Sequence, residues 1–353
     1  MNLVSPTRSS WLRKQLFATP AQGLLSLLLL GVLGWGLLAL ADWALLRAVW
    51  RPDAGACQQA GSGACWGMLA EHYRVILFGR YPFEQHWRPL LALLLFGSLM
   101  LASAWPRCWR RELFWAWLIG LGLCGWLLRG GWGLPLVDSR EWGGLPLSLL
   151  LAGSCFAAAL PLGCLLALGR QSDSAVLRWL CSGYIELVRS LPLVAVLFMA
   201  SFLLPLLLPQ GWSLATLARV WLGLTLFAAA YLAEAVRGGL QTVEIDQTDA
   251  ALSLGAGFWQ IQMRVVLPQS LQVALPALIN SAISLFKETS LITVVSLYEL
   301  TGALNLALSG SAQWRPFFLE GYLFIGLIYW LLCFGLSRYS RWLERHWQHG
   351  ATA

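Results

Sequence analysis

Lys287 and Glu288 are neighbouring charges in "VALPALINSAISLFKETSLITVV", a run otherwise apolar enough to lie in a bilayer. Ionisable side chains at membrane depth are costly, and they commonly mark the path of a polar cargo. Adjacent residues are about 100° apart around a helix, so these two cannot point at one spot. Asn280, Ser284 and Lys287 fall in one row, and Ser281, Ser284 and Glu288 fall in the row beside it. Together the rows make a polar face suited to the ammonium and carboxylate of a zwitterion. The competing explanation is that both charges pair with neighbouring helices and fix packing. Two other acid–base pairs, Glu186 with Arg189 and Glu234 with Arg237, are three residues apart and read as intrahelical ion pairs. His72, His86, His346 and His349 are dispersed in loops or the tail, and no Cys or His cluster has metal-site spacing, so neither a metal nor a cofactor is expected.

The elements that must carry these residues are membrane spans. The 353-residue chain is 58% hydrophobic and 12% charged, against about 45–50% and about 25% for a soluble protein. Apolar stretches recur at Gln22 to Ala41, Leu90 to Trp105, Leu113 to Leu128, Gly143 to Gly169, Ser190 to Ala218, Val220 to Ala233, Val265 to Phe286 and Gly321 to Ser337. Backbone polar groups in hydrocarbon must be paired within the segment, so each stretch predicts a helix. The fold class is all-α: a polytopic membrane protein of about eight transmembrane helices. Leu24 to Leu40 lacks a cleavage site and reads as a retained first span rather than a secretory signal.

A net charge of +7 with only two lysines among 24 basic residues points to topogenic arginines flanking the spans, not to nucleic acid. Arg8, Arg13 and Lys14, then Arg107, Arg110 and Arg111, then Arg338, Arg341 and Arg345 share one side if there are eight spans, which places both termini in the cytoplasm. Arg51, Arg74, Arg80 and Arg88 fall in the first outside loop. Cys57 and Cys65 share that loop, where either a disulfide or two free thiols is open. The Gly-rich stretch Gly130 to Leu145 divides an N-terminal extension of three spans (1–142) from a five-span part (143–345), followed by a cytoplasmic tail (346–353).

Between two spans of that second part lies "DAALSLGAGFWQIQMRVVLP", residues 249–268, too mixed to cross a membrane. Asp246 is the expected N-cap of a short helix, Gly255 its left-handed end, and Phe258, Ile261, Val265 and Val266 recur at helical spacing. Pro268 is expected to push Leu267 out of helical geometry. On these residues alone, a docking segment and an amphipathic loop on the membrane surface are equally open.

Asp249, Ala250, Ala251, Gly255, Val265, Leu267 and Pro268 resemble the EAA loop of permease subunits of binding-protein-dependent ABC importers, with Asp for the leading Glu and Val for the usual Ile. "SGYIELVRSLPL", "AAYLAEAVRGGLQTV" and "SLFKETSLITVVSLYELT" are similar to the polar amino-acid uptake branch, and the three N-terminal spans resemble the extended form of general L-amino-acid permeases. The resemblance implies a type I ABC permease core in a bacterial inner membrane, carrying amino acids. It assigns Asp249, Ala250, Ala251, Gly255, Leu267 and Pro268 to the surface that docks on a cytoplasmic ATPase dimer. It also implies a second, homologous permease and a periplasmic amino-acid-binding protein as partners. Arg189 and Ser190 join the substrate pathway because they occupy the segment similar to the family's "RGTP", although Ser190 and Leu191 replace its Gly and Thr.

The only lysines, Lys14 and Lys287, follow no P-loop glycines, so nucleotide chemistry belongs to a separate subunit and this chain catalyses no reaction. The alternative is an autonomous ion-coupled secondary transporter, but it would want two related halves and leaves residues 249–268 unexplained. A membrane-embedded enzyme would want a clustered catalytic constellation that the dispersed histidines do not supply.

Overall fold

The computed structural model describes residues 16–350 apart from 62, 109, 110 and 210, with the side chains of 60, 106, 111 and 346–350 excepted. The topogenic residues Arg8, Arg13, Lys14 and Arg110 lie outside the described residues. The helices, in chain order, are α1 (Pro20–Ala41), α2 (Ala54–Ala60), α3 (Gly67–Phe78), α4 (Trp87–Ala104), α5 (Arg111–Arg129), α6 (Gly144–Arg170), α7 (Ala175–Ser190), α8 (Leu193–Phe198), α9 (Leu204–Leu207), α10 (Thr216–Leu240), α11 (Ile245–Ser253), α12 (Phe258–Ile261), α13 (Leu267–Glu288), α14 (Leu300–Ser309) and α15 (Phe318–Gly350). Among the described residues seven segments are long and apolar enough to span a membrane, and one bent pair brings the number to as many as eight.

The chain divides into a smaller unit within Met1–Glu71 and Gln313–Gly321, and a larger one of His72–Ala312 and Tyr322–Ala353. In the smaller unit α1 begins where Thr19 accepts the Gln22 amide and Pro20 opens the first turn. Its 22 residues are nearly all apolar and none is buried against the rest of the chain, as expected of a helix lying in a membrane. The loop beyond is closed by a Cys57–Cys65 disulfide with Cα atoms 5.6 Å apart. The Cys65 amide donates to buried Glu320 at 2.8 Å, and the fully buried Trp314 belongs to the same unit. For a bridge closing so short a loop the chain-entropy argument gives about 2–3 kcal/mol. Cys57→Ser is therefore expected to speed limited proteolysis of residues 42–71 as much as reduction of the wild type does; equal cleavage of oxidised wild type and variant would show that the bridge contributes nothing.

In the larger unit the core is built by α6, α10 and α13. Small residues on α6, among them Ala159, Gly163 and Ala167, meet Ala229, Ala233 and Val236 of α10, the close approach that small side chains permit in membranes. At the next contact a Cβ on Gly239 would sit 2.1 Å from the Ser270 carbonyl oxygen, so no other residue lets α10 and α13 cross there. Arg88, expected as a loop charge, is instead fully buried: it donates to the carbonyls of Leu127 at 2.7 Å and Pro135 at 2.9 Å and to Gln85 Oε1 at 2.5 Å. Its guanidinium caps the end of α5, where helix carbonyls have no partner of their own. Tyr81 donates to the Leu128 carbonyl at the same place, and burial pushes its phenol up to about 12.

The span expected from Ser190 to Ala218 begins where expected but is corrected at its far end, which lies at Leu207. Pro192 holds Leu191 extended, α7 and the α8–α9 segment meet at 105°, and α9 ends at Leu207. Only Ile185 of α7 is buried, while Trp179 and Leu180 are exposed beside Arg178, the pattern of a helix lying along an interface. Helix α10 starts only at Thr216 and runs to Leu240, longer than the stretch read from apolar residues alone.

One fully buried carboxylate ties the larger unit together. The two-residue strand β1 (Tyr298–Glu299) bridges in parallel to Gly143 and Gly144, which brings Glu299 to the start of α6. Glu299 caps α14 by accepting the Thr301 and Gly302 amides at 2.9 Å, and it also accepts from Thr293 Oγ1 at 2.8 Å and Tyr329 OH at 3.0 Å. These four donors, from the turn after α13, the N-terminus of α14 and α15, compensate the burial of the charge.

Candidate functional site

Two places bring the sequence-selected residues together. The first is the segment between α10 and α13. Helix α11 starts at Ile245 with Glu244 as N-cap, so the expected cap Asp246 falls in its first turn, where an acid still favours the helix dipole. Gly255 has φ +77° with the Gly255 amide on the Leu252 carbonyl and the Ala256 amide on Ala251, the left-handed ending read from the sequence. Chain direction then reverses into α12. Pro268 does not remove Leu267 from the helix, as was expected: Leu267 is helical at φ −61°, ψ −43°. The π turn Gln262–Val266 widens the backbone just ahead of Pro268, which sits in the first turn of α13 where its missing N–H costs little. Phe258 through Val295 thus run as one 38-residue segment.

The segment has two sides. Leu267 is buried, as are Ile261 and Val266, and half-buried Ala251 packs against the core. Gln269 donates to Gln247 at 2.6 Å and ties α13 to α11. Asp249, Ala250, Gly255 and Pro268 are exposed. Leu254 is 89% exposed, with Ile245, Phe258 and Trp259 also open. Leu254, Ile245, Phe258 and Trp259 together make an exposed apolar patch, which was missed in sequence because its exposure depends on the turn at Gly255.

The second place is a cavity of about 220 Å³ between α6, α10 and α13. Its polar wall is Asn280, Ser281, Ser284 and Glu288 of α13; its aromatic wall is Phe156 of α6 with Phe227 and Tyr231 of α10, whose ring centroids are 4.9 Å apart. Lys287 does not line it and is exposed, so the 100° step between adjacent residues puts the acid into the cavity and leaves the base outside. Arg189 and Ser190 do not line the cavity either. Ser190 Oγ donates to the Leu187 carbonyl, and Arg189 lies 5.7 Å from the ring centroid of Tyr231.

The charges at the ends of α6, α7 and α10 correct a second expectation. Glu234 and Arg237 pair within α10 as read, but Glu186 pairs with Arg170 at 3.0 Å and Arg189 with Glu234 at 3.3 Å. Packing of three helix ends offers each charge a better-placed partner than its own helix does.

Spanning helices, a polar cavity in their midst and an exposed helical loop continuous with the cavity wall define a membrane transport subunit. Residues 159–349 match the family described as binding-protein-dependent transport system inner membrane component, and the chain belongs to that family. It is 41% identical to the inner membrane amino-acid ABC transporter permease protein YhdY of Escherichia coli (strain K12), over 97% of this chain and 94% of that one. It is 34% identical to the glutamate/glutamine/aspartate/asparagine transport system permease protein BztC of Rhodobacter capsulatus, over 95% and 92%. Among solved structures, an amino acid ABC transporter with histidines matches at TM-score 0.50 and 28% identity, covering 57% of this chain and 92% of that chain. The fold is that of a type I ABC permease, multi-pass in the inner membrane, and the role is transport rather than catalysis.

Proposed function

We propose that this chain is the permease subunit of an ATP-driven amino-acid importer. Residues 143–345 form its permease core, 1–142 an extension of three spans and 346–353 a tail, with both termini cytoplasmic. The core makes the pathway with a second, homologous permease, receives cargo from a periplasmic amino-acid-binding protein, and is driven by a separate ATPase dimer docked on Asp249, Ala250, Ala251, Gly255, Leu267 and Pro268. Buried Leu267 anchors that surface from behind while the exposed members meet the partner.

The observation that carries this reading is continuity. The loop that would be gripped runs directly into α13, and α13 presents Asn280, Ser281, Ser284 and Glu288 to the cavity. A displacement of the loop is therefore a displacement of the cavity wall, and ATPase states that hold the loop differently shift the access equilibrium. Polar groups beside aromatic faces suit a small zwitterion. An ion-coupled transporter is not favoured, since it has no use for the exposed loop.

The test is uptake of radiolabelled amino acids by cells in which the tagged chain replaces its own deleted copy and is expressed with its partner subunits. Glu288→Gln is expected to raise KM about tenfold while the chain still assembles with the ATPase. Uptake with unchanged KM and selectivity would remove Glu288 from the pathway. Lys287→Met, off the cavity, is expected to change KM by no more than about twofold.

A further inference from the structure

Glu234 lies one turn beyond the cavity residue Tyr231 on α10, and three arginines from three helices converge on its carboxylate. Arg237 of α10 reaches it at 2.5 Å, Arg170 at the end of α6 at 3.2 Å, and Arg189 at the end of α7 at 3.3 Å. The three are not equivalent. Arg237 and Arg170 form hydrogen bonds with Glu234, and Arg170 is held again by Glu186. Arg189 makes the looser ion-pair contact and has the most exposed side chain, 39% against 26% and 31%. It is also the one whose guanidinium lies against the ring of Tyr231, itself part of the cavity wall. With Glu186 and Glu234 against three arginines, the cluster carries one uncompensated positive charge.

We propose that the Glu234–Arg189 pair is a latch between α10 and α7, opened when the carboxylate of a bound amino acid takes over Arg189. The proposal rests on the reading of the cavity as an amino-acid site and adds its regulation. Exchanging one carboxylate for another on the same guanidinium conserves a charge-assisted contact, so the exchange needs no large driving energy. The surplus positive charge also attracts the incoming carboxylate before the exchange. Arg189 is next to the last residue of α7, directly before the break at Leu191 and Pro192. Releasing its side chain removes the direct ion pair nearest that bend without unwinding a helix, while Tyr184 keeps α7 on the Leu226 carbonyl of α10. Cargo then binds one arrangement better than the other, which is what coupling requires. Glu234 and Arg189 are positioning residues in this scheme: one holds the latch closed, the other passes from Glu234 to the cargo.

The test is a two-residue cycle in the assembled transporter, using L-glutamate, L-glutamine, L-leucine and L-arginine as labelled probes and the α-amide of the best of them as competitor. Glu234→Gln removes the competing carboxylate, so KM is expected to fall about tenfold and ATPase activity without cargo to rise. Arg189→Gln is expected to raise KM about tenfold, and the double variant to show the KM of Arg189→Gln alone, because Glu234 acts only through Arg189. The α-amide, lacking the carboxylate, should inhibit the wild type and Arg189→Gln alike. Should Glu234→Gln fail to assemble, Arg189→Lys decides: retention of KM within about threefold, beside the loss in Arg189→Gln, supports the latch. Unchanged KM in Arg189→Gln, or single effects that add in the double variant, overturns the latch and leaves the importer reading standing. A wild-type transporter that takes up none of the four probes defeats the cargo reading and the latch with it.

Discussion

Asp249→Arg combined with Gly255→Trp is expected to release the ATPase from the solubilised chain and to abolish uptake, while the chain stays in the membrane at wild-type abundance. Both positions are exposed, and a Cβ on Gly255 would meet nothing within 4 Å, so the chain's own packing tolerates the larger side chain. A partner docked on this loop would not. At φ +77° a tryptophan is strained by about 1 kcal/mol or more, which either opens the turn between α11 and α12 or thrusts an indole into the docking face. Replacing the Asp249 carboxylate with a guanidinium reverses the charge that α11 offers its partner. Affinity for the ATPase should fall at least about a hundredfold, the equivalent of roughly 3 kcal/mol of lost contact. The measurement is co-purification of the ATPase with the tagged chain in mild detergent. Equal retention by wild type and double variant would sink the docking role of residues 249–268.

The second large effect is on stability. Glu299→Ala removes a fully buried carboxylate and leaves Thr293, Tyr329 and the Thr301 and Gly302 amides facing each other without an acceptor. Stranded buried donors at the centre of a network cost about 3–5 kcal/mol in total. The variant should unfold at distinctly lower temperature in detergent, and the contact of β1 with Gly143 and Gly144 should exchange amide hydrogens faster than in wild type. Glu299→Gln keeps one acceptor oxygen and is expected to lose about half as much. A Glu299→Ala chain as stable as wild type would mean that the donors find water instead.

These two sites differ in how far they were legible before the fold was known. The proposed docking segment stood out as a spacing: Asp249, Ala250, Ala251, Gly255, Leu267 and Pro268 are close in sequence, and a turn that only glycine takes easily leaves a local mark. Glu299 carried no comparable mark. It follows apolar residues as many loop acids do, and its donors come from Thr293, Gly302 and Tyr329, which converge only when the turn after α13 (Thr289–Val295), α14 and α15 pack. Glu234 shows the intermediate case. Its helical neighbour Arg237 could be read from a spacing of three, while Arg170 and Arg189 could not. The bend at Leu191 follows from Pro192 at the start of the apolar stretch, whereas the span's end at Leu207 left no mark, because the residues up to Ala218 are equally uncharged.

Sequence by itself determined the class of this protein, the membrane as its solvent and the helix–turn–helix form of residues 249–268, the segment proposed to dock. Each depends on properties of single residues or of neighbours along one helix: transfer out of water, helical period, the left-handed freedom of Gly255. Tertiary structure alone decided that Glu288 and not Lys287 faces the cavity, that Arg88 is buried as a cap, and that Glu234 gathers three arginines. A polar side chain in a membrane must find a partner wherever the packed helices offer one, and that choice is made by distance in space, which residue spacing along the chain does not encode.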